Sequence, residues 1–154
     1  MLPAGDYRIR RGALCWQLDF SSPSADKLLR VGPLEHKHQS GTIFQLVWND
    51  DESVTFLVND ANIETSAKNT EKRQSDVLTI DRMDENDPST GQLVAVQKAA
   101  KNYAPNLDQK FELLIDEEDG TVQIFRAHGI EHIGADGRIL RNNNAAEFFF
   151  QKID

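Results

Sequence analysis

The chain has 154 residues and a mass of 17.4 kDa, with 39% hydrophobic and 27% charged residues. These proportions fit a single globular domain spanning 1–154 and exclude disorder of the whole chain. A net charge of −8 and a pI near 5.0 argue against a polynucleotide or an anionic membrane surface as partner, since both bind through an excess of Lys and Arg.

Short alternating or β-branched apolar runs recur between polar turns, and no sustained 3.6-residue period is present, so the chain reads as all-β. Strands are predicted at Tyr7–Arg10, Leu14–Phe20, Leu28–Leu34, Ile43–Trp48, Val54–Val58, Ile63–Ser66, Val77–Asp81, Leu93–Gln97, Phe111–Asp116, Val122–Arg126, Glu131–Ile133, Arg138–Leu140 and Phe148–Ile153. Glu118-Asp119-Gly120 and Ala135-Asp136-Gly137 are the strongest hairpin turns, because Asp bonds its local backbone and Gly accepts positive φ. Asp84–Gly91 and Lys98–Gln109 contain Pro88 and Pro105 and read as surface loops; at most one helical turn fits Ala99–Tyr103.

A weak threefold repeat aligns three segments that end in a Phe-containing strand. They run from Leu28-Leu29-Arg30-Val31 to the strand with Phe44, from Leu93-Val94-Ala95-Val96 to the strand with Phe111, and from Arg138-Ile139-Leu140-Arg141 to the strand with Phe148. Asp6–Arg10, Ser53–Val58 and Thr121–Arg126 supply a further matching strand each. Units of about 1–50, 51–118 and 119–154 with four strands apiece make a β-trefoil of three unequal repeats: a six-stranded barrel capped by three hairpins. The surplus length falls in the second unit, where the loops Ala67–Asp76 and Asp84–Gln92 have no assigned purpose.

The arrangement resembles the fungal β-trefoil proteins, small cytoplasmic defence proteins that include ricin-B-like lectins and the protease inhibitors called mycocypins and mycospins. The resemblance covers the whole chain. It is most specific in the opening Leu2-Pro3-Ala4-Gly5-Asp6-Tyr7-Arg8-Ile9 and the closing Glu147-Phe148-Phe149-Phe150-Gln151-Lys152-Ile153-Asp154. Lectins of the group carry Gln-x-Trp near the end of each repeat; only Gln109-Lys110-Phe111 approximates it, while Thr42 and Ala146 replace the Gln elsewhere. The inhibitors have largely lost the motif, and this chain looks closer to them.

Residues that carry chemistry elsewhere read here as structure or solvated surface. His36-Lys37-His38 could face two imidazoles together, but it lies in a polar loop. His128 and His132 flank Gly129 in a β context where their spacing has no helical meaning. Asp116–Gly120 lacks the alternating ligands of a calcium loop, and Cys15, in an apolar strand, has no His placed to activate it. Trp16 and Trp48 read as core packing. No phosphate loop or nucleophile elbow is found, so a non-enzymatic protein without cofactor or metal is expected.

The charge is uneven, with net +2 over residues 1–48, −10 over 49–119 and zero over 120–154. No apolar run approaches the ~18–20 residues of a membrane span and no signal peptide is apparent. Cys15 is the only cysteine and no Asn-x-Ser/Thr sequon occurs, so a reducing, cytoplasmic location is expected.

Function is then expected in exposed loops on a rigid barrel. In the resembling serine protease inhibitors the reactive loop lies between the second and third strands, which corresponds to Ser21–Lys27; Lys27, preceded by Asp26, would enter an acidic specificity pocket. The resembling cysteine protease inhibitors occlude papain-like enzymes with the first and third interstrand loops. Here these are Arg11-Gly12-Ala13 and Glu35–Gly41, whose Gly12 and Gly41 allow close backbone approach. A loop after the fifth strand, here Asn59-Asp60-Ala61-Asn62, serves against asparaginyl endopeptidase through an Asn, which points to Asn59 and Asn62. The sequence therefore reads as a fungal defence-type protease inhibitor, with a carbohydrate-binding lectin as the alternative and a serine or cysteine protease, or a glycan, as partner.

Overall fold

The computed structural model describes residues 2–18, 27–35, 39, 41–58, 76–82, 91–97, 104–141 and 145–153. Asp26, His36, His38, Asn59, Asn62, the strand expected at Ile63–Ser66, the turn at Ala99–Tyr103 and most of the two long second-unit loops lie outside them. Twelve strands occur among the described residues: β1 Gly5–Arg11, β2 Leu14–Leu18, β3 Lys27–Pro33, β4 Phe44–Trp48, β5 Val54–Val58, β6 Asp76–Arg82, β7 Gly91–Gln97, β8 Phe111–Asp116, β9 Thr121–Arg126, β10 His132–Ile133, β11 Ile139–Leu140 and β12 Phe149–Lys152. The one helical element among them is the 3-10 turn Leu107–Gln109; no helix there is long and apolar enough to cross a membrane.

Antiparallel pairing joins β1 to β4, β4 to β5, β5 to β8, β8 to β9 and β12 to β1. A bridge between Val122 and Phe148 links β9 to the start of β12 and completes the ring. The remaining strands form the hairpins β2–β3, β6–β7 and β10–β11. This is a β-trefoil, and its threefold register is explicit. Tyr7 faces Phe44, Val54 faces Phe111 and Val122 faces Phe148. Between units, Leu46 faces Phe56, Leu113 faces Ile124 and Phe150 faces Ile9.

The expected Phe triplet is the core of this register, with Phe44, Phe111 and Phe148 at most 1% exposed. Strand alternation turns every second side chain inward, so Leu46 and Phe150 are buried behind two of them, and Leu113 packs against the core. Trp16 on β2 is 1% exposed and meets Phe148 and Phe44 edge to face, with ring centres 5.0 and 6.4 Å apart, a favourable aromatic geometry. Its Nε1 donates to the Ala135 carbonyl, tying the β2–β3 hairpin to the β10–β11 turn. The three hairpins converge where the Gln92 amide reaches the carbonyls of Leu29 and Asp136 and Leu93 N donates to Gly137 O.

The observed strand limits depart from the expected ones by small steps with a physical cause. In the first repeat the inward residue is Leu29, 2% exposed, while Leu28 is 53% exposed; Leu29, Leu93 and Ile139 are the buried equivalents, so the second segment is offset by one against the alignment read from sequence. Phe148 precedes β12 because its pairing with Val122 is a single bridge.

Candidate functional site

Arg11 pairs with Leu14, which leaves Gly12-Ala13 as a two-residue hairpin turn. Such turns need positive φ, which glycine supplies without strain; Gly12 has φ +61, and no heavy atom lies within 4 Å of the position a Cβ would take. The turn therefore projects into open space from a base held between β1, β2 and β12. On its flanks Leu14 is 45% and Phe149 54% exposed. Phe149 lies opposite Arg10, whose Nη1 donates to Gln151 Oε1 at 2.8 Å.

Beside the turn is a cleft of about 410 Å³ lined by residues that include Arg10, Arg11, Gly12, Leu14, Glu147 and Phe149. A second cleft of about 370 Å³ shares Thr121 and Glu147 with it and continues to Leu114, Asp116 and Glu117. Leu114 is 58% exposed. The two clefts adjoin at Thr121 and Glu147, with Arg10 and Arg11 on the Gly12 side and Asp116 and Glu117 on the side of the β8–β9 turn.

The other residues singled out from the sequence are placed differently. Gly41 has φ +77 but is buried, and its carbonyl accepts from Leu18 N. Because Leu14 pairs with Pro33, the third loop begins beside the Gly12 turn, but Gly41 comes back to the far end of β2. It is committed to the fold and does not join Gly12 at the surface. Lys27 is the first residue of β3 and pairs with Ala95 of β7, so its backbone belongs to a ladder and not to the preceding loop. Asp26, Asn59 and Asn62 lie outside the described residues.

Gln109, the remnant of the Gln-x-Trp pattern, is used by the fold. It is 7% exposed, its Nε2 donates to Thr79 Oγ1, and its Oε1 accepts from Asn106 N to cap the 3-10 turn. The Asp116–Gly120 segment is a tight turn in which Asp116 Oδ1 accepts from the amides of Glu118 and Asp119. Cys15 is buried. No cluster of three or more potential metal ligands occurs among the described residues.

One polar cluster has no signal in the sequence, because three separate turns build it. Asp51 Oδ2 takes Lys110 Nζ at 3.0 Å and His128 Nε2 at 3.2 Å, while its Oδ1 takes the Ser53 hydroxyl and amide. The Ser53 hydroxyl, then His128 and Lys110, hold the Asp51 carboxyl well below the usual carboxylate range. His128 is thus engaged by Asp51, whereas His132 is buried against the Phe125 ring.

No family model and no curated protein matches the chain. Solved structures do. The structure described as that of a mosquitocidal holotoxin aligns with TM-score 0.68 and 9% identity over 100% of this chain, which spans 18% of the toxin chain. A salivary protein from Culex quinquefasciatus of the Cysteins and Tryptophan-Rich family aligns with TM-score 0.60 and 9% identity, over 99% of this chain and 96% of that one. A protein described as BEL beta-trefoil aligns with TM-score 0.58 and 12% identity, over 99% and 97%. At these identities the likeness is one of fold, and the chain is a β-trefoil protein.

Proposed function

We propose that this β-trefoil is a non-enzymatic binding protein that inhibits a papain-like cysteine protease, occluding it with the β1–β2 turn. The observation that carries the reading is the projection of Gly12 into open space between exposed Leu14 and Phe149. An occluding segment loses least entropy on binding when it is already rigid, and pairing of Arg10 with Cys15 and Arg11 with Leu14 stiffens this one. A glycine at the crest lets backbone approach backbone closely. The serine-protease alternative is less supported, since the backbone of Lys27 is engaged with β7 and a substrate-like loop must be free to lie extended in the enzyme.

The test is titration of the protein against papain, trypsin and an asparaginyl endopeptidase, with binding to a panel of immobilised glycans followed in parallel. Stoichiometric inhibition of papain that Ala13→Glu removes, with thermal stability little changed because Ala13 is exposed and has no positive φ, would establish the reading. Inhibition of trypsin alone would transfer the site to the segment ending at Lys27, and inhibition of the endopeptidase alone to Asn59 and Asn62. Glycan binding with no inhibition would replace the inhibitor with a lectin.

A further inference from the structure

The hairpins close one end of the barrel against Trp16; four residues further along each second barrel strand, about 13 Å at strand rise, three equivalent residues stand at the other end. They are Trp48 opposite Val54, Ile115 opposite Val122 and Lys152 opposite Tyr7. Two residues ahead of Val54, Val122 and Tyr7 lie Glu52, Gly120 and Gly5, and all three have positive φ: +69, +71 and +145. Two of the three are glycine, the residue this backbone favours. The third is a glutamate, which an L-residue's Cβ makes strained there, and such strain gathers at functional positions.

Symmetry is broken at this same place in a second way. Trp48, Glu52, Leu113 and Ile115 line a cavity of about 350 Å³, within the size range of small-molecule sites. Trp48 Nε1 is spent on the Leu2 carbonyl at 2.9 Å, so the indole offers its apolar body to the cavity. Among the described residues the Glu52 carboxylate makes no hydrogen bond or ion pair, and it is exposed. The nearby Lys110 ammonium is held by Asp51. Of the four lining residues only Ile115 also borders the second cleft, and none borders the cleft beside Gly12.

We propose that this cavity binds a small organic cation with an apolar body, such as an arylalkylammonium ion, its ammonium on Glu52 and its apolar part against Trp48, Leu113 and Ile115. The charge beside the cavity selects the sign: Asp50, Asp51 and Glu52 are consecutive, and Glu52 lines it. An ammonium over a Trp and beside a carboxylate gains from both the ring quadrupole and the ion pair. An anion of the same shape would be repelled.

The experiment is titration of the protein with phenethylammonium, followed by Trp fluorescence and by calorimetry, with 3-phenylpropionate as the isosteric anion. Saturable binding of the amine near millimolar, the affinity expected of so small a probe, with at least tenfold weaker binding of the anion, is the expected result. Glu52→Gln, which keeps the backbone and the shape, should weaken the amine about tenfold or more and erase the preference over the anion. Trp48→Leu should weaken it while Glu52 still discriminates charge. Equal affinity for amine and anion, no saturation by about 10 mM, or an unchanged affinity in Glu52→Gln would overturn the proposal. The protease titration is indifferent to these variants, so this site and the Gly12 turn stand or fall separately.

Discussion

Ile9 lies opposite Phe150, and through this pair the first strand of the chain closes on the last. Both are buried, and the Phe150 ring also meets Phe56 and Tyr7 at 6.0 and 5.8 Å. Its neighbour Phe149 points outward and is 54% exposed. Phe150→Ala should therefore destabilise by about 3–5 kcal/mol, the cost of deleting a core aromatic. Phe149→Ala should stay within about 0.5 kcal/mol of the parent, as surface changes do. Urea unfolding of the two variants decides it; comparable losses would contradict the inward and outward assignment.

The left-handed backbone at Glu52 makes the opposite kind of prediction. Gly120, its equivalent in the third unit, has φ +71 with nothing within 4 Å of an added Cβ, so only the backbone conformation differs in cost between residue types there. Glu52→Gly should raise stability by roughly 1 kcal/mol, the relief of a left-handed L-residue less the entropy of a more flexible unfolded chain. Gly120→Ala should lower it by a similar amount. Chemical denaturation that showed Glu52→Gly to be destabilising would mean that the Glu52 side chain contributes contacts exceeding its strain.

How much of this was legible beforehand follows the range of the interactions. The barrel was legible because its determinants are local and repeated: Phe44, Phe111 and Phe148 recur at matching places, and Asp119-Gly120 and Asp136-Gly137 announce their own turns. The one-residue offset of the second segment was not, since the adjacent Leu28 and Leu29 to which Leu93 was aligned give alternation no phase. Gly12 was legible as a turn, whereas Gly41 looked the same in sequence and is buried, because a glycine at positive φ can serve a close internal approach as well as an exposed crest. The Asp51 cluster and the Trp48 and Glu52 cavity were hidden for a different reason. Each joins residues from separate turns or strands that only barrel closure brings together.

Acid should act on the fold through Asp51. Its folded pKa is lowered from the ordinary 3.8, so the unfolded chain takes up this proton first as pH falls, and protonation favours unfolding. The stabilising contribution is whole above pH 3.8 and is lost as pH drops from there toward the folded value. Asp51→Asn should be less stable than the parent at pH 7, and the gap should narrow below about pH 4. Urea midpoints at pH 7, 5 and 3 test this, and a gap independent of pH would show that the carboxylate's charge is not what its partners Ser53, His128 and Lys110 recognise.

The inhibitor reading makes its sharpest demand on Phe149, because stability and binding should part company there. The side chain is more than half exposed, so removing it changes little in the folded molecule, yet it borders the Gly12 turn together with Leu14. Covered by an enzyme, a ring of this size buries apolar surface worth about 2 kcal/mol at ~25 cal/mol per Å², and anchoring aromatics of this kind dominate interfaces. Phe149→Ala should then weaken papain inhibition by about 10–100-fold at unchanged thermal midpoint, and Leu14→Asp should act in the same direction. A distant control, Ile130→Ser, removes an 81% exposed side chain and should leave inhibition as it was. If Phe149→Ala and Leu14→Asp inhibit as well as the parent, the enzyme is held elsewhere and the Gly12 turn is an ordinary hairpin.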